Sequence, residues 1–348
     1  MKSKILLVGW GYPPNIDGGL DIHVKHLFEE LQRKDVDVTL ALPEERAPDR
    51  KDIIGIETGD GDMIWKARKM SSEIAQLAEE YDIIHTHDWF GAEAGFKAKK
   101  YGSCKWISTL HSLSSGRSRC PSGRLQRIEE VAVENSDLLI AVSNQLANEI
   151  ENEFGRTPEV LHNGFSSSKK SGIEVKDNLE IDEDMIFFVG RHSEQKGIEH
   201  LLYGFKKLLQ EREAELVIGG EGHMTQALKE FSEMLNIDEK VHFQGFIPER
   251  ELGDYYHEAD VFVSPSINEP FGLTITEALE SGTPVVATEN GVEELVSNGI
   301  ISVEPDSDSI SSGISRALSQ KPKVDYQNRS WEDMAEDILD IYSRALLD

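Results

Sequence analysis

The sequence predicts an α/β protein made of two doubly wound domains, and three observations carry that expectation. The chain has 348 residues, more than the size at which a single core stops growing, so two domains are expected. Short β-rich runs alternate with amphipathic helical stretches from end to end, the pattern of βα units around parallel sheets. One segment, "NGFSSSKKSGIEVKDN" from Asn163 to Asn178, is rich in Ser, Lys and Gly, has no period, and reads as a linker. Residues 1–165 are therefore expected to form the first domain and 166–330 the second. A last amphipathic helix, Trp331 to Leu347 within residues 331–348, is expected to pack back on the first.

In chain order the first domain is expected to hold strands at Ile5–Trp10, Val38–Leu42, Ile83–Thr86, Trp106–Leu110 and Leu138–Val142. Helices are expected at Asp21–Lys34, Met63–Glu80, Gly123–Asn135 and Gln145–Phe154. In the second domain strands are expected at Ile186–Val189, Glu215–Ile218, Val241–Gln244, Val261–Ser264 and Val285–Thr288, with a helix at Leu273–Glu280 closed by Gly282 and Pro284. Open parallel sheets bind ligands beyond the carboxyl ends of their strands. Two such Rossmann-like sheets are expected to face a central cleft lined by those strand ends.

Acidic residues outnumber basic ones 64 to 36, for a net charge of −28. The excess is uneven: 27 acids against 20 bases up to residue 165, and 37 against 16 after it. Nucleic acid and anionic lipid both require a basic face, so neither is an expected partner. The charge fits a salty cytoplasm, where screening relieves self-repulsion. No run approaches 18 apolar residues, so no membrane span is expected. The opening "KILLVGWGYPP" is expected to be a first strand and not a leader, and Cys104 and Cys120 form no paired motif. A cytoplasmic location is the expectation; the oligomeric state is left open.

The strand-end loops concentrate the chemistry. After the first strand, "GWGYPPNIDGGLDIHV" sets Gly18 and Gly19 just before a helix, where bare backbone N–H groups could approach a phosphate. The loop is not GxGxxG, and a plain turn explains the pair equally well. After the third strand, "IIHTHDWFG" holds His85, His87 and Asp88. One histidine reads as packed in the strand and Asp88 as an N-cap, or else the group is functional. Metal binding by the two histidines is disfavoured on the view that alternating strand residues face opposite ways. His111 follows the fourth strand.

From Ala94 to Ile128 there is no acid, while Lys97, Lys99, Lys100, Lys105, Arg117, Arg119, Arg124 and Arg127 are present. The lysines read as a solvated helix end and Arg117 as an anion or acceptor contact. In the second half, "FFVGRHSEQKG" places Arg191 and Lys196 between a strand and a helix, a fitting place for two cations on a pyrophosphate. In "NEPFGLTITEAL" the N–H groups of Phe271, Gly272, Leu273 and Thr274 open a helix and aim at a phosphate. Glu277, about one turn in, could hold a ribose diol, and Glu269 would face the group hanging from the phosphate.

At these residues the chain resembles the retaining GT-B glycosyltransferases of family 4. The Glu269-to-Glu277 spacing is similar to that family's E-x7-E signature, and "VGRHSEQKG" to its donor-phosphate loop; "VLHNGF", "VIGGEG" and "FQGFIP" keep family order. "YPPNIDGGLDIHV", "HTHDWF" and "TLHSLSSGR" resemble the glycogen synthase-like branch. The resemblance implies UDP- or ADP-glucose as donor and an α-glucan or other carbohydrate as acceptor. It implies Glu277 on the ribose, Glu269 on the donor sugar, and Arg191 and Lys196 on the pyrophosphate. It also implies Gly19 on the same phosphates, His111 on the sugar's hydroxyl edge, and Asp88 near glucose or acceptor. One departure is plain: relatives commonly read Gly-Gly-x-Pro-Glu where this chain reads "NGVEE", with Asn290 for the first Gly and Glu293 for the Pro.

No cofactor or metal is expected, since "GDGD" at 59–62 and "DSD" at 306–308 are matches to be met by chance in so acidic a chain. Departure of the diphosphate then rests on Arg191, Lys196 and the helix N-terminus. Whether Glu269 is a nucleophile or orients the glucose stays open, with orientation favoured. The rival readings are a sibling transferase acting on a cell-envelope glycan or glycolipid, a sugar-nucleotide epimerase, and a non-catalytic nucleotide-sugar binder.

Overall fold

The structure is a computed structural model and describes residues 3–34, 36–117, 123–165, 169–327 and 329–347. The chain divides into two compact units: Met1–Gly164 with Arg329–Asp348, and Phe165–Asn328.

The first unit is built on a seven-stranded sheet: β1 (Lys4–Val8), β2 (Asp37–Pro43), β3 (Ile53–Ile56), β4 (Ile83–His87), β5 (Lys105–Leu110), β6 (Leu138–Ala141) and β7 (Glu159–Val160). The order across the sheet is β3-β2-β1-β4-β5-β6-β7, and every pairing is parallel. Ile5, Leu6 and Leu7 of β1 are wholly buried, as a central strand covered on both faces requires. The helix Gly19–Arg33 turns Val24, Leu27, Phe28 and Leu31 inward, a three-and-four spacing that makes one apolar stripe. Asp62 caps the helix Met63–Leu77 through the Trp65 N–H, and the expected stretch to Glu80 ends as a 3-10 turn. The short strands β3 and β7 were not anticipated. Each pairs on one side only; β3 is a four-residue IIGI run interrupted by Gly55, and β7 has only two residues.

The C-terminal helix Trp331–Leu347 lies within this unit and buries Trp331, Met334, Ala335, Ile338, Ile341, Tyr342 and Ala345. Trp331 stacks on His26 at 4.5 Å between ring centroids. The Tyr342 hydroxyl meets His85 Nδ1 at 2.7 Å, and the Lys34 ammonium bridges Glu332 and Glu336 at 2.8 Å each.

The second unit repeats the plan with β8 (Asp184–Val189), β9 (Ala214–Gly219), β10 (Val241–Gly245), β11 (Val261–Ser264), β12 (Val285–Ala287), β13 (Val296–Asn298) and β14 (Ile300–Ser302). Its main sheet runs β10-β9-β8-β11-β12-β14, all parallel; β13 pairs antiparallel with β15 (Asp325–Tyr326). Ile186, Leu216, Ile218, Val261 and Val263 pack with Ile198, Leu201, Leu202 and Phe205 of the helix Ile198–Leu208. Both units are thus Rossmann-like doubly wound sheets.

Described residues at both ends of the segment read as a linker are held by the fold. Asn163 is buried, and Val175–Asn178 makes one helical turn, tied down where the Lys176 N–H donates to Glu258 at 2.7 Å.

Candidate active site

In each sheet the strand order reverses direction at one point, beyond which ligands of doubly wound folds collect. In the first unit that point lies between β1 and β4; in the second, between β8 and β11.

At the second unit's switch point, Gly197 sets the geometry. It caps the helix Ile198–Leu208 at φ 61°, a left-handed conformation that favours glycine. A Cβ there would sit 2.1 Å from the Pro265 carbonyl oxygen, so the β8 loop is drawn against the end of β11. Two further bonds join the loops: the Ile267 N–H donates to the Gln195 carbonyl at 2.8 Å, and Gln195 Nε2 donates to the Asn268 carbonyl at 3.2 Å. The result is an ion pair between Lys196 Nζ and Glu269 Oε2 at 2.6 Å, with the Ser266 hydroxyl donating to the same oxygen at 3.0 Å. Arg191, from the same loop as Lys196, is exposed, and among the described residues no acid pairs with it.

Gly272, at φ 103°, starts the helix Leu273–Glu280. Its carbonyl accepts from the N–H groups of Ile275 and Thr276 at 3.0 and 3.2 Å. The amides of Leu273 and Thr274 therefore precede any helix carbonyl able to accept from them, and they mark the positive end of the helix dipole. Phe271 is buried, and its carbonyl accepts from Val292 N–H at 3.2 Å. Glu277 keeps part of its surface open, yet its carboxyl is packed round by protein and accepts from the Tyr256 hydroxyl at 2.7 Å. Burial pushes its pKa up to about 7, against the lowering effect of the Tyr256 bond. The departure at Asn290 is accommodated by a cap: Asn290 Oδ1 accepts from Glu293 N–H at 3.2 Å while its amide donates to the Thr288 carbonyl at 2.7 Å. A proline at position 293 would have no N–H to give.

At the first unit's switch point, Gly18 is the N-cap and Gly19 the first residue of the helix Gly19–Arg33. The preceding loop is held by Asp21, whose carboxylate accepts from Asp17 N–H at 2.8 Å. A Cβ on Gly18 would meet nothing within 4 Å, so folding does not require glycine there. Asp88, the buried first residue of the helix Asp88–Tyr101, holds a left-handed φ of 53°, a conformation that costs a non-glycine residue energy and concentrates at functional sites. Its Oδ1 accepts from the His111 backbone N–H at 2.7 Å, which joins the end of β4 to the end of β5.

His85 and His87 do share a face, contrary to the expectation: strand residues two apart point the same way, and their rings lie 4.4 Å apart. His85 is packed in the strand between the Tyr342 hydroxyl and Thr109, at 2.7 and 2.8 Å, and burial pulls its pKa down to about 3. His87 Nδ1 meets His111 Nε2 at 3.2 Å. His23, one turn into the helix Gly19–Arg33, completes a cluster of three, and its Nδ1 meets Asn163 Oδ1 at 2.7 Å. Burial, then neighbouring histidines, hold His23 and His87 well below the ordinary imidazole range. Neither His23 nor Asn163 was singled out from the sequence. A histidine beside Val24 on the inward helix face was the available signal.

Of the acid-free stretch, Lys97 pairs with Glu93 at 2.9 Å and Lys99 with Asp137 at 2.8 Å, as a solvated helix surface does. Arg124 and Arg127 line a cavity of about 220 Å³ with Ile64, Trp89, Phe90 and Ile128. Arg119, Cys120 and the side chain of Arg117 lie outside the described residues; Cys104 is a buried free thiol.

Two Rossmann-like units, each with charged and glycine-bearing loops at its switch point, have the architecture of the GT-B glycosyltransferases. Residues 171–336 match the family "Glycosyl transferases group 1", and residues 17–169 match "Glycosyltransferase Family 4". The chain is 33% identical to an uncharacterized glycosyltransferase of Methanocaldococcus jannaschii, over 99% of this chain and 98% of that one. It is 28% identical to a glycogen synthase of Mycobacterium tuberculosis, over 85% and 80%. It is also 28% identical to a D-inositol 3-phosphate glycosyltransferase of Corynebacterium jeikeium, over 79% and 76%. Among solved structures, sucrose-phosphate synthase from Thermosynechococcus elongatus superposes with a TM-score of 0.80 at 22% identity, over 99% of both chains. The chain belongs to glycosyltransferase family 4. Among the described residues no helix is long and apolar enough to cross a membrane.

Proposed function

We propose that the chain is a retaining glucosyltransferase that moves glucose from UDP- or ADP-glucose onto an α-glucan, without a required metal. The observation that carries this reading is the meeting of Lys196 and Glu269 at 2.6 Å, with Arg191 on the same loop and Glu277 in the helix that follows. Glu277 holds the ribose diol. Arg191, Lys196 and the Gly272–Thr274 amides neutralise the departing diphosphate, a fixed electrostatic arrangement that needs no reorganisation as charge develops. Glu269 orients the glucose, and the leaving phosphate takes the proton of the incoming hydroxyl. Gly18 and Gly19 leave room for the donor phosphates, His111 takes a sugar hydroxyl, and Asp88, holding the His111 amide, lies near the glucose or the acceptor.

A second acceptor class has support of its own, since the D-inositol 3-phosphate glycosyltransferase is as similar to this chain as the glycogen synthase is. The deciding experiment incubates the purified chain with radiolabelled UDP-glucose and ADP-glucose, with glycogen, inositol 3-phosphate or a membrane lipid extract. Label in α-linked polymer supports the proposal. Label in a small polyol phosphate or in lipid replaces the acceptor, an isomerised donor points to an epimerase, and an unchanged donor in every arm overturns it.

A further inference from the structure

We propose that His23, His87 and His111 form a binding site for a divalent transition-metal ion of the zinc class. The three side chains come from three places in one unit: the helix after β1, the last residue of β4 and the loop after β5. One ring nitrogen from each lies within 4.8 Å of the other two. His87 Nδ1 and His111 Nε2 are 3.2 Å apart; two nitrogens bound tetrahedrally to zinc at its usual bond length would be about 3.3 Å apart.

The stronger signal is what a buried nitrogen lacks. His23 Nε2 is buried without a hydrogen-bond partner, although buried polar atoms are as a rule satisfied. The contact between His87 Nδ1 and His111 Nε2 leaves it orphaned. Asn163 Oδ1 can only accept, so it places the proton of His23 on Nδ1 and leaves the Nε2 lone pair bare. A metal-bound histidine is ordinarily held this way, its other nitrogen tied to an oxygen that fixes the tautomer. Three imidazoles without a carboxylate select zinc, nickel or copper over magnesium or calcium, and leave a fourth position for solvent or an anion. An ion held there also takes His111 out of hydrogen-bonding use. Inhibition of transfer by zinc is the consequence, and this consequence alone rests on the proposed function.

The test uses the full chain, stripped with a chelator and titrated calorimetrically with Zn²⁺, with Mg²⁺ as control. One equivalent of zinc, bound at least about tenfold more weakly by His23→Gln and by Asn163→Ala, is expected, in line with the cost of losing a supporting hydrogen bond. Affinity equal to the parent's in a natively folded His23→Gln overturns the site. X-ray absorption at the zinc edge on the unmodified chain decides the matter even if those variants do not fold. Three imidazole shells support the site, whereas an oxygen-dominated shell means that zinc has found surface carboxylates of this acidic chain and overturns it. In the transfer assay zinc should inhibit at its calorimetric Kd and spare His23→Gln; equal inhibition of both proteins refutes the link to His111. Calorimetry and absorption read the site whether or not the chain transfers glucose.

Discussion

Lys196 Nζ stands 2.6 Å from Glu269 Oε2 across two loops that only the parallel pairing of β8 with β11 brings together. Glu269 is 12% exposed in its side chain and Lys196 23%, so this ion pair is shielded, whereas Arg191 on the same loop is open to solvent. The two cations should therefore respond differently to truncation. Lys196→Ala leaves a largely buried carboxylate to which the Ser266 hydroxyl still donates, and is expected to cost about 1–3 kcal/mol of stability as well as turnover. Arg191→Ala should change stability by less than about 0.5 kcal/mol yet lower turnover by about a hundredfold, the effect of removing one donor from a preorganised anion site. Chemical denaturation beside initial-rate assays separates the two. Near-normal turnover in both variants contradicts the assignment of these cations to the diphosphate.

Gly18 offers a cleaner probe, because the fold does not need it. Its φ of 172° is extended backbone, open to any residue, and an added Cβ meets nothing within 4 Å. Gly18→Ala should therefore lose no more than about 1 kcal/mol of stability, the N-cap preference for glycine over alanine, while binding nucleotide-sugar about tenfold more weakly, as a phosphate drawn close to the helix N-terminus is pushed off. Isothermal titration with UDP-glucose reads this directly. Unchanged affinity would mean that the phosphates do not approach this glycine.

Glu277 couples stability to pH with a definite sign. Its pKa is near 7 when folded, raised first by burial, against an ordinary value of 4.5. Below about pH 4.5 the carboxyl is protonated in both states and its stabilising contribution is complete. As pH rises toward 7 the unfolded chain ionises while the folded one resists, so stability falls across that window. Glu277→Gln removes this component, and the stability difference between parent and variant should drift in the variant's favour from about pH 4.5 to 7 and level off above. In the proposed role Glu277 accepts the ribose hydroxyls as a carboxylate, so donor affinity in the parent should improve as pH climbs through about 7. A pH-independent difference between the two proteins would show that the folded-state pKa is ordinary.

How far the sequence could be read follows from sequence distance. The strand β11, Val261–Ser264, and the helices Leu273–Glu280 and Trp331–Leu347 lie at the residues expected, because their apolar periods, Gly stops and Pro breaks are local. Edge strands such as β3 and β7 escape, having one partner each and only four and two residues. His23 and Asn163 escape for a different reason: they are 140 residues apart, and only the adjacency of β1 and β4 carries the helix bearing His23 to the ends of β4 and β5. The error over His85 and His87 was one of period, corrected by counting two residues along a strand as a return to the same face. The assignment of Asn163 to a linker failed because Ser and Lys further along, not Asn163 itself, supplied the polar composition.

The pair Asn290 and Glu293 tests whether the departure from the family's Gly-Gly-x-Pro-Glu is one change or two. Asn290 is buried, caps the 3-10 turn Gly291–Leu295 through Glu293 N–H, and gives its amide to Thr288 and to Glu293 Oε1 at 2.7 and 3.1 Å. Glu293→Pro alone deletes the donor and strands a buried amide oxygen, at an expected cost of about 1–2 kcal/mol. Asn290→Gly alone replaces the cap at a cost of only a few tenths of a kcal/mol, and gives up the amide bond to the Thr288 carbonyl, about 1 kcal/mol more. In the double variant no oxygen is stranded, and proline suits the first turn of a helix, so the combined loss should fall short of the sum by about 1 kcal/mol. A double-mutant cycle by urea denaturation measures that shortfall. Strict additivity would show that the two positions act independently, and that the cap contributes nothing to holding the turn that follows β12.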